Sequence, residues 1–225
     1  MPIPDQSAGF IRSHLALVLV VALTSCTTAR IDVARHGSAD IDANLGVVVL
    51  ARQHDGGQDT EESFMDCVTE ALSEGETPIS LYPEQDFVDA LFPWFEPRIA
   101  PATPEALPTL LKRPGVEEKL AAIGVRYLVW VDGSSERVDG GGGMSCAVGP
   151  GGGGCLGFVW WDTASDYEAV IWDLRGGASL GAVSADASGM SYVPALIVPL
   201  PLIARTQAAA CNGLAEQLRG LLNGD

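Results

Sequence analysis

Five cysteines and three histidines are the residues of this chain best suited to redox, nucleophilic or metal chemistry. Cys146 and Cys155 lie nine apart with no histidine nearby, whereas zinc-binding cysteines pair at a spacing of about two to four residues. No metal site is therefore expected. A thiol nucleophile needs a base, and His36 and His54 stand far from Cys67, Cys146, Cys155 and Cys211 along the chain. His54-Asp55 with Asp59, Glu61 and Glu62 is the one acidic–imidazole cluster, placed after the first expected strand, where α/β folds carry their sites. It suits either acid–base or metal work, or helix capping and a solvated loop. Trp160 and Trp161 fit stacking on sugar rings, or packing within and across strands. No nucleophile elbow, zincin helix or phosphate loop occurs, so no catalytic residues and no cofactor are assigned, and an enzyme is not expected.

Cys26 is a different case. Leu15 to Leu23 is an unbroken apolar run of nine after the weakly basic Arg12 and His14, and it ends in Leu23-Thr24-Ser25-Cys26. Such a run is too short for a span of about 20 residues but fits a secretory signal. Its ending resembles the bacterial lipobox. That implies removal of residues 1–25, acyl chains such as palmitate on Cys26, and, with Thr27 following, delivery to the outer membrane at its periplasmic face. Residues 26–44 are polar and read as a lipid-anchored tether. More than one acyl chain would hold the protein to the membrane without a spanning helix.

Twenty-nine acidic against 13 basic residues give a formal charge of −16, with 47% hydrophobic residues. The acidity excludes a nucleic-acid partner and basic-patch binding to anionic lipid, and the apolar content excludes disorder. An envelope protein partner, basic or apolar, or self-association complements such a surface. In an oxidising compartment the four remaining cysteines form two disulfides. Cys146 pairs with Cys155 across the Gly-rich loop at 139–155, which leaves Cys67 for Cys211.

The elements that must position these residues follow from periodicity. Leu45–Leu50 is a continuous apolar run and a buried strand. Phe64, Cys67, Val68, Ala71 and Leu72 form one helical stripe, which Asp59 and Glu62 could cap. Ile79–Tyr82 is a short strand, Pro83 opens a helix, and Val116–Ile123 is a helix ending at Gly124. Val125–Val131 is a strand, followed by strands at Leu156–Trp161, Tyr167–Asp173 and Ser179–Ala185. A helix over 206–222 carries Cys211 on its apolar side. The fold class is α/β (α+β): a single mixed sheet, antiparallel in its second half, with amino- and carboxy-terminal helices packed on it. One domain is expected over 45–222.

Tyr192–Ala204 is strongly apolar yet holds Pro194, Pro199 and Pro201, so it suits neither a helix nor a central strand. It reads either as a buried crossover over the sheet or as an exposed apolar loop. In the second case Val193, Leu196, Ile197, Val198, Leu200 and Leu202 would touch a membrane or a partner.

The order of elements and their wording, LGVVVLAR, ISLYPEQDFVDAL, LAAIGVRYLVWVDGS and EAVIWDLRGGASLG, resemble a group of periplasmic lipoproteins. It comprises the curli-secretion lipoprotein, the penicillin-binding-protein activator lipoprotein and the TolB amino-terminal domain. The likeness runs through Ile123-Gly124-Val125-Arg126-Tyr127-Leu128-Val129-Trp130 and the hairpin Asp173-Leu174-Arg175-Gly176-Gly177. It implies the fold and action through protein partners, with no catalytic residue carried over. The Cys146/Cys155 loop and the Pro-rich segment are additions to that pattern, and no pair of amphipathic strands suits a pore.

Overall fold

The structure, a computed structural model, describes residues 27–39, 46–52, 60–74, 77–96, 100–101 and 103–224. The signal, Cys26, His54, Asp55 and Asp59 lie outside the described residues. Six strands form one mixed sheet: β1 (Thr27–Arg35), β2 (Gly46–Ala51), β3 (Leu81–Tyr82), β4 (Val125–Gly149), β5 (Gly152–Asp173) and β6 (Ala178–Ala195), in the order β1-β6-β5-β4-β2-β3. The α-helices among the described residues are α1 (Glu62–Ser73), α2 (Glu84–Ala90), α3 (Leu107–Leu111), α4 (Val116–Ile123) and α5 (Thr206–Asn223).

β2 runs parallel to both neighbours, with Val47 opposite Leu81 and Val49 opposite Val129. β4 and β5 run antiparallel, because Ser135 meets Ser165 and, further along, Cys146 meets Cys155. β1 is antiparallel to β6: Thr28 stands beside Ser188 and the His36 N–H donates to Leu180 O.

The chain divides into two compact units. A helical unit comprises Ala29–Glu136, Ala164–Ala187 and Thr206–Asp225, and a hairpin unit comprises Met1–Thr28, Arg137–Thr163 and Ser188–Arg205. The three long strands contribute residues to both.

Strand alternation builds the core of the helical unit. Val47, Val49, Tyr127, Val129 and Val131 face one side, where α1 and α5 supply Phe64, Val68, Leu72, Leu214 and Leu218. Val48, Leu50, Leu128 and Trp130 face the other, against Phe87, Leu91, Leu107, Val116 and Leu120. Burial on both faces is why β2 and the start of β4 read as unbroken apolar runs. Cys67 and Cys211 tie α1 to α5, with Cα atoms 6.4 Å apart. Gly124 ends α4 at φ 72°, a conformation that favours glycine.

Two expectations about order are overturned. Thr27–Arg35, read as part of a tether, is the edge strand β1. Only Ile31 and Thr27 are half-buried in it, so hydrophobic pattern gives no strand signal. The end of the Ile31 side chain lies where a Cβ on Gly213 of α5 would stand, so a side chain at 213 would have to displace it. The Gly-rich disulfide loop expected at 139–155 is strand for most of its length, β4 and β5 running almost to their turn. There Gly141 lies against the Trp160 indole, its Cβ position 3.3 Å from Nε1, and Gly142 adopts φ +100°. The two strands expected at Leu156–Trp161 and Tyr167–Asp173 are one continuous strand, β5, and β6 runs on to Ala195.

Candidate functional site

The hairpin unit exposes what a soluble surface normally covers. Val148 is 91% exposed, Leu196 83%, Ile197 70% and Leu156 68%. Val138, Phe158, Val198, Leu200 and Ile203 are exposed as well. Of the large exposed apolar side chains among the described residues, only Val33 and Phe92 belong to the helical unit.

Charge divides the same way. No Asp, Glu, Lys, Arg or His occurs over 140–161 or over 188–204. The hairpin unit holds Asp139 and Asp162 against Arg137 and Arg205, and Asp5 cancels Arg12, so the whole −16 falls on the helical unit.

The segment after β6 is held by its own backbone. Tyr192 and Leu202 exchange N–H···O bonds of 2.8 and 2.7 Å, the Leu200 N–H donates to Pro194 O at 3.0 Å, and the Ala204 N–H donates to Ser191 Oγ at 3.0 Å. The Cys155 N–H donates to Ile197 O at 2.9 Å, which joins the segment to the disulfide-closed hairpin. Phe158 and Tyr192 lie with ring centroids 5.9 Å apart.

Of the residues singled out from sequence, Leu196, Ile197, Val198 and Leu200 are exposed, while Val193 and Leu202 are half-buried. The segment is therefore the exposed loop and not a buried crossover. Both expected disulfides are present, Cys67–Cys211 and Cys146–Cys155. Trp160 and Trp161 are half-buried: Gly141 covers the first, and the Arg137 guanidinium sits 4.8 Å over the ring of the second. Val138, Val148, Leu156, Phe158 and Ile203 were not anticipated. The alternation of Leu156 and Phe158 across Gly157, in a stretch without charge, is the signal that could have found them.

In the helical unit Glu61, one of the acidic cluster singled out from sequence, joins a hydroxyl network. Glu61 accepts from the Ser135 N–H at 2.7 Å and from the Tyr167 O–H at 2.8 Å. Ser135 Oγ lies 2.7 Å from Ser165 Oγ, which donates to Thr206 Oγ1 at 2.8 Å. Burial, set against hydrogen bonds from Ser135 and Gln207, pushes the Tyr167 phenol up to about 12, so it stays protonated. Glu61 thus fastens the start of α1 to β4 and β5. Its carboxylate makes no capping bond to the helix that follows.

At the carboxyl end of β2 a cleft of about 560 Å³ is lined by Met65, Thr69, Glu70, Tyr82 and Glu84. Burial raises the Glu84 carboxyl, although the Ala51 backbone offsets part of this. Among the described residues no cluster of His, Cys, Asp or Glu could hold a metal ion, and no helix is long and apolar enough to cross a membrane.

Fold and site together define an α+β protein with one mixed sheet and a hairpin unit of no net charge that exposes apolar side chains. No protein-family model and no curated protein sequence matches the chain. Among solved structures, a point variant of the PelC dodecamer from Paraburkholderia phytofirmans matches at 13% identity and a TM-score of 0.41, covering 88% of this chain and 99% of that one. The PelC dodecamer from the same organism in a second crystal form matches at 13% identity and a TM-score of 0.39, covering 88% and 98%.

Proposed function

We propose that this chain is a lipid-anchored accessory module of the bacterial outer membrane, facing the periplasm and acting by docking, not by catalysis. The observation that carries the reading is the partition of the surface. One unit has no net charge and displays aliphatic side chains, and the other carries the whole −16. Isolated exposed apolar residues are ordinary, but a cluster on one unit marks an interaction surface. The lipobox at Cys26 supplies the attachment, and the resemblance to the curli-secretion, penicillin-binding-protein activator and TolB group supports action through a protein partner. That partner is basic, meeting the acidic helical unit.

Native co-purification tests this. The acylated protein should leave bacteria in the outer-membrane fraction, and Cys26→Ala should release it. A basic envelope protein should co-purify with it and dissociate as salt rises, because exposed ion pairs are screened. Recovery of wild type as an unmodified, solitary soluble protein would overturn the reading.

A further inference from the structure

We infer that the hairpin unit is a membrane-seating face. The aliphatic side chains at the β4–β5 turn and on 196–203 dock into the hydrocarbon of the same bilayer that holds the acyl chains. This rests on the proposed acylation of Cys26 and assigns an occupant to the apolar surface.

Four observations favour a bilayer over a protein. First, protein interfaces keep hydrogen-bonding groups at roughly one per 100–200 Å², whereas the 199–204 stretch of this surface withholds most of its donors. Pro199 and Pro201 have no N–H, and the N–H groups of Leu200, Leu202 and Ala204 are satisfied inside the segment. Hydrocarbon demands that internal satisfaction of the backbone.

Second, the residues are ordered by polarity along the strands. Arg137, Asp139 and Asp162 come first, then Trp161, Trp160, Phe158 and Tyr192, then Leu156, Val148 and the Leu196–Leu200 turn. Aromatic side chains between charge and aliphatic surface are the arrangement found at a membrane–water interface.

Third, the lipidated end leads to this unit. Thr27 begins β1 directly after Cys26, and Thr28 Oγ1 lies 3.0 Å from Ser188 Oγ within the hairpin unit. Because β1 is antiparallel to β6, moving toward its start means moving along β6 toward Ala195 and the apolar segment. Fourth, the acidic helical unit is repelled by anionic headgroups, so the neutral unit alone can approach them closely.

The test uses the protein purified from bacterial membranes and reconstituted into phosphatidylcholine vesicles whose lipids are brominated high on the acyl chains. The mass of the amino-terminal peptide reports acylation separately, so a failure of that reading is visible on its own. An unacylated product is scored by vesicle flotation instead. Brominated lipid should quench tryptophan emission, and the quenching should fall at least about twofold in Leu196→Asp/Ile197→Asp, since two charges oppose insertion. Val148→Asp, at the other exposed element, should do the same, while Phe92→Asp in the helical unit should leave it unchanged. Quenching that is absent, or equal in all variants, overturns the proposal. So does an oligomer in lipid-free detergent that Leu196→Asp/Ile197→Asp dissolves without changing quenching, which would give the face to a second copy.

Discussion

The two units are built from the same three long strands and spend their side chains in opposite ways. In the helical unit β4 buries Tyr127, Leu128, Val129, Trp130 and Val131 on both faces beneath helices. Past Glu136 the same strand turns to glycine and exposed Val138 and Val148. Helices are the difference: the five α-helices among the described residues all lie in the helical unit. Among its described residues the hairpin unit has no helical layer; it is held by ladder hydrogen bonds and the Cys146–Cys155 closure, and its apolar side chains stay exposed. One stretch of sheet is a core and the other a surface, although both are rich in apolar residues.

The sharpest way to break this comparison is through the two disulfides. Replacing Cys67 and Cys211 by Ala opens a closure of 144 residues and should cost up to about 5 kcal/mol in loop entropy. Replacing Cys146 and Cys155, nine apart, should cost about 2.5 kcal/mol. Denaturant unfolding measures both, and equal costs would mean that the hairpin unit carries as much of the global stability as the helical one.

Single side chains should divide likewise. Phe64 is fully buried and stacked on Tyr167 at a centroid distance of 3.4 Å, so Phe64→Ala should lose about 3–5 kcal/mol. Leu196→Ala should stay within about 0.5 kcal/mol, because nothing covers it. Glu61→Ala strips the Ser135 N–H and the Tyr167 O–H of an acceptor and should cost about 1–3 kcal/mol by thermal unfolding.

The smallest effect is one of pH. Burial pushes the Asp173 carboxyl up, but Arg126 at 3.1 Å and the N–H groups of Gly176 and Arg175 together hold it below the ordinary carboxylate value. Its stabilisation is complete above the unfolded value of about 4 and is lost as pH falls through the folded value. Asp173→Asn should therefore flatten part of the acid limb of the unfolding midpoint. Asp166 has the opposite sign: burial, with Asp186 and Glu136 nearby, raises it, so its ionisation opposes folding.

Much of the helical unit was legible in the sequence because its signals are local and redundant. The Phe64-to-Leu72 stripe, the Gly124 stop and the double-faced run at Val125–Val131 each specify one element, and the inward stripes of α1 and α5 placed Cys67 opposite Cys211. The hairpin unit was harder to read for physical reasons. Glycine ordinarily breaks strands, yet here it admits Trp160 against the backbone, so a strand looked like a loop. β1 is exposed at nearly every position, so only Ile31 betrays it. The composition of Tyr192–Ala204 establishes that it is apolar, but covering depends on distant residues that no local pattern encodes. The acidic cluster after β2 was visible, but the use of Glu61 as a tie to Ser135 and Tyr167 depended on strands more than 70 residues away.

Photolabelling tests the division of labour most directly. The acylated protein is held in phosphatidylcholine vesicles containing a lipid with a diazirine at the end of one acyl chain, irradiated, and its peptides are mapped. Adducts should fall on residues 144–158 and 196–203, with none on α2, α3 or α4. Adducts spread over the helices, or absent from both hairpin segments, would contradict the account.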